Sequence, residues 1–275
     1  MDQGQAIARA FVSARRAARG LPDYPGEPPT TLDQAYAIQS HAIAITADTV
    51  VGWKVGRINP PLDKILSNNR LAGPIFAGQV TSAANGSMPV FAAGFAAAEA
   101  EFLLRIGAAP DPAKMHYSRD EALALIDAVH VGLEIASSPF PGINDLGPLV
   151  TISDFGNNHG LVIGAPVADW RTLAFVDWPV RLTIDGEEAG VATAASMLDG
   201  PIGAARFLFE CLAARGIALA AGQWISSGAV TGVHRVRPGQ AIRASFGDIL
   251  AVSCTIDAAK PQEDASEIDY ASGSR

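Results

Sequence analysis

The sequence predicts an α+β fold. Two amphipathic helical stretches occupy the first fifty residues, and many unevenly spaced strand patterns follow. Nothing repeats as the strand–helix alternation of a doubly wound sheet. With 275 residues, 49% apolar and 17% charged, the chain can bury a sizeable core.

Ala6, Ala10, Phe11 and Ala14 recur on one helical face. Arg9, Arg15, Arg16 and Arg19 are expected on the other face, and Gly20, Pro22 and the prolines at 25–29 end the pattern. Thr31 and Gln34 form a capping-box pair ahead of a second helix expected to reach about Ala47. TVVGWKVGRI at 49–58 alternates like a strand and carries Lys54, with Pro60 and Pro61 closing it. After a loop rich in Gly, Ala and Ser, AAAEAEFLLRIG at 96–107 reads as a strand with Glu99, Glu101 and Leu103 on one face. Ser118 and Glu121 cap a short helix expected to run to about Ala128. VHVGLEIASS at 129–138 sets Val129, Val131, Leu133 and Ile135 opposite His130, Gly132 and Glu134. Asp185-Gly186 supplies a hairpin turn, Pro201 opens a helix that Gly216 ends, and short strands fill 222–256. The expected organisation is a helical segment at 1–50, a main domain at 51–257 and a flexible polar tail at 258–275.

A net charge of −8 with no basic stripe argues against nucleic acid and gives no attraction to an anionic membrane. No apolar run reaches the roughly 18 residues a spanning helix needs. The first twenty residues read as a mature amphipathic helix, since Asp2 opens them and no cleavage site follows an apolar core. Cys211 and Cys254, far apart, suit unpaired thiols in a reducing cytoplasm. Gly52 and Gly56 flank a strand residue and open no helix, so a phosphate loop is not expected.

Glu99 and Glu101 hold two carboxylates on one side of a strand, which is unfavourable unless something neutralises them. A hard cation with oxygen ligands would do so, and Glu134 faces a side on which small Gly132 leaves room for a ligand. Spacing alone favours a simpler reading, since Glu-x-Glu on a half-exposed strand is usually a solvated face. Lys54 either enters a desolvated pocket or snorkels at the surface. His130 reads as structural, while His159 and His234 could be acid–base groups or structural. Asp154 is a functional loop residue or a turn cap.

Five segments in order then carry a resemblance: GWKVG at 52–56, EAE at 99–101, LEIASS at 133–138, ISDFGNNHGLVIG at 152–164 and SSGAVTG at 226–232, followed by RPGQAIRASFG. Together the chain resembles the 2-keto-4-pentenoate hydratase branch of the fumarylacetoacetate hydrolase superfamily, which includes 4-oxalocrotonate decarboxylases. The similarity spans roughly residues 30–257. It implies a mixed, rolled β-structure with flanking helices, an oligomer, and Mg²⁺ or Mn²⁺ held at Glu99, Glu101 and Glu134. It also matches Lys54 to the family lysine, Thr231 to a loop threonine and Asp154 to a loop aspartate. Arg57 could pair with a substrate carboxylate or face solvent. One departure concerns IFAGQ at 75–79, where Gly78 stands in place of a family aspartate.

The chemistry so implied is enolisation of a small 2-oxo acid, with the cation as Lewis acid and Lys54 moving a proton. Hydration, decarboxylation and acylpyruvate C–C hydrolysis share that step. Hydrolysis would need a base such as His130 or His159, and loss of the aspartate also admits a keto-acid-binding descendant without catalysis.

Overall fold

The computed structural model describes residues 2–82 and 86–262. In chain order its first elements are α1 (Gln3–Arg16), α2 (Leu32–Ile45), β1 (Val50–Arg57), α3 (Leu62–Ile65), β2 (Arg70–Phe76), β3 (Val80–Thr81), β4 (Gly86–Val90) and β5 (Phe95–Ile106). Then come α4 (Arg119–Ala124), β6 (Ile126–Ser138), α5 (Pro148–Ser153), β7 (Asn158–Pro166), β8 (Val180–Ile184) and β9 (Glu187–Ala192). The chain continues through α6 (Gly200–Ala214), β10 (Trp224–Ser226), β11 (His234–Arg235), β12 (Ala241–Phe246) and β13 (Leu250–Ala258).

The result is α+β, with two mixed sheets. The larger runs β2-β1-β10-β5-β6-β7-β3, with β11 added on β5, and the smaller runs β4-β13-β12-β8-β9. Parallel pairing joins β1 to β10, β3 to β7 and β13 to β4, and the remaining pairs are antiparallel. Alternation along β5 and β6 divides the large sheet into two faces. Ala100, Phe102 and Leu104 pair with Leu133, Val131 and Val129 to build the main core. Phe102 packs edge-on against Phe246 of the smaller sheet and tilts on Phe175.

The local signals explain most elements. Thr31 accepts from the Gln34 N–H, although Gln34 reaches back to Thr30 and not to its cap. Ser118 and Glu121 make both bonds of a capping box. Asp185 and Gly186 take positive φ angles of 53° and 87° in the β8–β9 turn, and Gly216 ends α6 at φ 68°.

Five expectations need correction. Helix α2 stops at Ile45, not about Ala47. Helix α4 stops at Ala124 and β6 begins at Ile126, because residues 126–138 find a full-length partner in β5. The stretch read as loop contains β2, buried throughout. Gly73 and Pro74 mask it, and Gly73 is required there, since a Cβ would stand 2.1 Å from the Phe155 carbonyl oxygen. Arg15 is not on the solvent face of α1 but is 9% exposed. Residue 258 still belongs to β13, and Gln262 N–H bonds Arg16 O; the rest of the expected tail, 263–275, lies outside the described residues.

The 1–50 segment shares its core with the sheet. Ile7 and Phe11 of α1 and Ile38 and Ala42 of α2 form one buried cluster with Phe95, Ala136 and Phe155.

Candidate metal and substrate site

Register brings the carboxylates together. Glu99 of β5 pairs directly with Glu134 of β6, and Glu101 pairs with Gly132. All three side chains project from the face opposite the main core, and one oxygen from each lies within 4.8 Å of the others. Glu101 and Glu134 are fully buried and Glu99 is 6% exposed. This is no solvated strand face. Among the described residues, it is the one His/Cys/Asp/Glu cluster with such geometry.

The carboxylates are held from three sides. Ser226 of β10 donates to Glu101 Oε2 at 2.5 Å, and the Gly228 N–H donates to the same oxygen at 2.9 Å. Asn158, opening β7, donates to Glu134 Oε1 at 3.0 Å, and Lys54 Nζ is 3.3 Å from that oxygen. The other oxygens, Glu101 Oε1 and Glu134 Oε2, are buried without a protein hydrogen-bond partner. Burying a bare carboxylate oxygen is costly. Three carboxylates and one ammonium leave two negative charges, which a divalent cation cancels. An all-oxygen set of hard donors with two bare oxygens therefore fits Mg²⁺ or a similar ion.

Electrostatics report the same frustration. Burial, opposed by Lys54 and reinforced by Glu134, pushes Glu99 up to about 7. Burial, followed by its two acidic neighbours, holds Glu101 well above the carboxylate range. For Lys54, burial favours the neutral amine, yet Glu134, Glu99 and Glu101 together outweigh it and raise its pKa. Lys54 is thus a buried ammonium at neutral pH, not a snorkelling side chain.

Glu99 and Lys54 floor a cavity of about 590 Å³, whose walls include Arg57, Arg70, Gly156 and Asn157. Arg57 is exposed at the mouth, while Arg70, its cross-strand partner, is committed to Asp199. Gly156 lies within a run of three positive φ angles, 58° at Phe155, 64° at Gly156 and 66° at Asn157. Two of these are not glycine, at a cost of roughly 1–3 kcal/mol each. A Cβ on Gly156 would meet Lys54 Cδ at 3.0 Å, so glycine lets the turn close over the lysine stem.

Other expected site residues fall elsewhere. Asp154 does not line the cavity; it is fully buried, and its carboxylate receives the Arg15 guanidinium at 2.6 and 2.9 Å. Thr231 is beside the cavity without lining it, its Oγ1 3.2 Å from His234 Nε2. Gly132 leaves no room for a ligand, because a Cβ there would strike Leu103 at 2.3 Å. His130 bonds the Gly164 carbonyl through Nδ1 and packs edge-on against Trp224. His159 is buried beside Arg15, and burial, then Arg15, holds its pKa well below the usual histidine value. Gly78 is exposed in a short 3-10 turn, its N–H bonded by Asp48, away from the cavity.

The residues not singled out beforehand are Ser226, Asn157, Asn158, Arg15 and Arg70. The first three lie inside the recognised segments SSGAVTG and ISDFGNNHG, so a signal existed. Arg15 carried none, since a basic residue in an Ala-rich amphipathic helix looks solvent-facing.

No protein-family model matches the chain. A 4-oxalocrotonate decarboxylase from a Pseudomonas species is 32% identical over 136 residues, 48% of this chain and 51% of that protein. The matched part thus spans about half the length of that relative. A 2-hydroxyhexa-2,4-dienoate hydratase from Comamonas testosteroni is 25% identical over 233 residues, covering 83% of this chain and 86% of that protein. Among solved structures, 4-oxalocrotonate decarboxylase from Pseudomonas putida G7, complexed with calcium and acetate, superposes with TM-score 0.78 at 20% identity, over 92% of this chain and 97% of that one. Fumarylpyruvate hydrolase from Pseudomonas aeruginosa, in complex with Mn²⁺ and pyruvate, gives 0.54 at 16% identity, over 78% and 94%. At such identities these superpositions establish the shared fold.

Proposed function

We propose that the chain belongs to the 2-keto-4-pentenoate hydratase and 4-oxalocrotonate decarboxylase branch of the fumarylacetoacetate hydrolase superfamily and is a divalent-metal-dependent lyase acting on a small 2-oxo acid, a reading supported by its two sequence relatives and its shared fold. The observation that carries this is the pair of bare buried oxygens, Glu101 Oε1 and Glu134 Oε2, beside Glu99 at the cavity floor. Mg²⁺ or Mn²⁺, bound there by Glu99, Glu101 and Glu134, would supply Lewis acidity that favours the enolate of a 2-oxo acid.

The chain's own groups do the rest. Ser226 and the Gly228 N–H fix Glu101, and Asn158 with Lys54 fixes Glu134, so the donor set is preorganised. Lys54, 3.3 Å from Glu134 Oε1 and lining the cavity, is placed to donate a proton to a developing carbanion or to hold an oxyanion. Asn157 Oδ1, buried at the wall and without a protein partner, can accept from a substrate hydroxyl. Arg57 at the mouth is placed for a carboxylate entering from solvent.

Hydration of a 2-hydroxy-alkadienoate is the leading reaction, with decarboxylation second. Gly78 does not count against hydration, because an aspartate there would face Asp48 and solvent. Hydrolysis is disfavoured: among the described residues, those lining the cavity include no histidine to activate water. A homo-oligomer and a reducing cytoplasm complete the proposal, the latter supported by the unpaired thiols of Cys211 and Cys254. No helix among the described residues is long and apolar enough to cross a membrane.

The test is incubation with 2-hydroxypenta-2,4-dienoate and Mg²⁺, following dienoate absorbance, with CO₂ assayed separately on 4-oxalocrotonate. Turnover that stops with EDTA and in Glu101→Gln is expected. Turnover indifferent to both would refute the metal role, and a second carboxylic acid product from an acylpyruvate would restore hydrolysis.

A further inference from the structure

We infer that Arg15, from the N-terminal helix, is a positioning residue for the cation site, acting with Asp154 through the turn at 155–157 and Asn158. This rests on the cation reading above.

The guanidinium serves as a hub. Nε and Nη2 donate to the two Asp154 oxygens at 2.6 and 2.9 Å, and Nη2 also donates to Ser137 O at 3.0 Å. Nη1 donates to Asn158 O at 3.2 Å and lies 3.1 Å from His159 Nδ1. Ser138 Oγ adds a 2.6 Å bond to Asp154 Oδ2. The Arg15 carbon lies 5.5 and 5.0 Å from the ring centres of Phe91 and Phe155.

These contacts clamp the two chain segments that present the site. Ser137 and Ser138 end β6, the strand that carries Glu134. Asp154 and Asn158 bracket the left-handed run that turns Gly156 and Asn157 into the cavity. Asn158 is fixed from both ends, its carbonyl by Arg15 and its amide on Glu134 Oε1. A planar fork with several parallel donors is suited to lock such a geometry. Neither Arg15 nor Asp154 lines the cavity, so each acts through Asn158 and the turn. Helix α1 is therefore part of the site's machinery, although it touches no carboxylate ligand.

The test is calorimetric titration of Mn²⁺ into the full chain, wild type and Arg15→Met, Arg15→Lys and Asp154→Asn, with circular dichroism to establish folding. Phe209→Leu, in the main core where Phe209 packs on Tyr117, controls for lost stability alone. Loss of a supporting outer contact is expected to weaken Mn²⁺ binding roughly 10–100-fold in Arg15→Met and Asp154→Asn. Lysine, which keeps the charge but not the fork, should restore part of it. Phe209→Leu should bind as wild type does. If Arg15→Met does not fold, the isosteric Asp154→Asn carries the test. Folded Arg15→Met or Asp154→Asn binding Mn²⁺ with wild-type affinity overturns the inference, as does an equal weakening in Phe209→Leu. A wild-type chain that binds no Mn²⁺ overturns the cation reading itself, and this inference with it.

Discussion

Lys54 Nζ stands 3.3 Å from Glu134 Oε1, with side chains 7% and 0% exposed, in a site that also holds two further buried carboxylates. The ammonium offsets one of three negative charges and shares Glu134 Oε1 with Asn158. It therefore ties strand β1 to the three carboxylates while lining the cavity.

Replacing Lys54 by Met removes that charge and the proton it holds. General-acid contributions of this kind amount to about 10²–10⁴ in rate. We expect kcat to fall within that range when measured at saturating Mn²⁺, so that any loosening of Glu134 does not enter. A kcat within threefold of wild type would show that Lys54 moves no proton.

Cation binding should depend on pH through the carboxylates. Glu99 is held up at about 7 and Glu101 is also held well above the carboxylate range, so both must lose protons for an ion to bind. Affinity for Mg²⁺ or Mn²⁺ should therefore weaken as pH falls from 8 to 6, measured by calorimetry. The sign for folding is complementary. Carboxylates raised in the folded state add stability below their ordinary pKa and lose it as pH rises towards about 7. Denaturation in EDTA at pH 5.5 and 8 should show that loss, and added Mn²⁺ should reduce it. Equal pH dependence with and without Mn²⁺ would contradict the coupling.

His159 works in the opposite direction. Its pKa is lowered in the folded chain by burial and by Arg15, so below about 6.5 the unfolded chain takes up a proton that the native chain refuses. Stability contributed by neutral His159 is lost as pH falls, by up to about 1.4 kcal/mol per pH unit. His159→Gln cannot take that proton. Its stability should fall less than wild type between pH 7 and 5 in urea titrations, and parallel curves would disprove the assignment.

Gly73→Ala tests the strained turn. A methyl group 2.1 Å from the Phe155 carbonyl forces β2 and the 155–157 turn apart. Overpacking of this kind costs about 1–3 kcal/mol. We expect that loss in a denaturant midpoint, together with weaker Mn²⁺ binding, whereas an unchanged midpoint would show that the turn yields freely.

Patterns of period two were legible from sequence alone. Alternation placed Glu99 and Glu101 on one face and Glu134 on a matching one, and turn chemistry located Asp185-Gly186 and Gly216. Pairing partners were not legible, because register is decided between strands distant in sequence. That is why β2, broken by Gly73-Pro74, carries the sequence signature of a loop, and why β6 shows clean alternation only from Val129 although it pairs with β5 from Ile126. The role of Arg15 was hidden for a related reason. An arginine on a helix shows its charge but not what covers it, and Asp154 lies 139 residues away. Asp154 itself looked functional because it sits in a turn-rich loop, yet its carboxylate faces inward to that arginine.

The central claim is that Glu99, Glu101 and Glu134 hold a divalent cation on which a 2-oxo acid is processed. Crystals grown with Mn²⁺ and pyruvate, measured for anomalous scattering, address it directly. The account predicts one strong peak within coordination distance of all three carboxylates, with pyruvate beside it towards Lys54. Well-ordered density for the three side chains without that peak would contradict it.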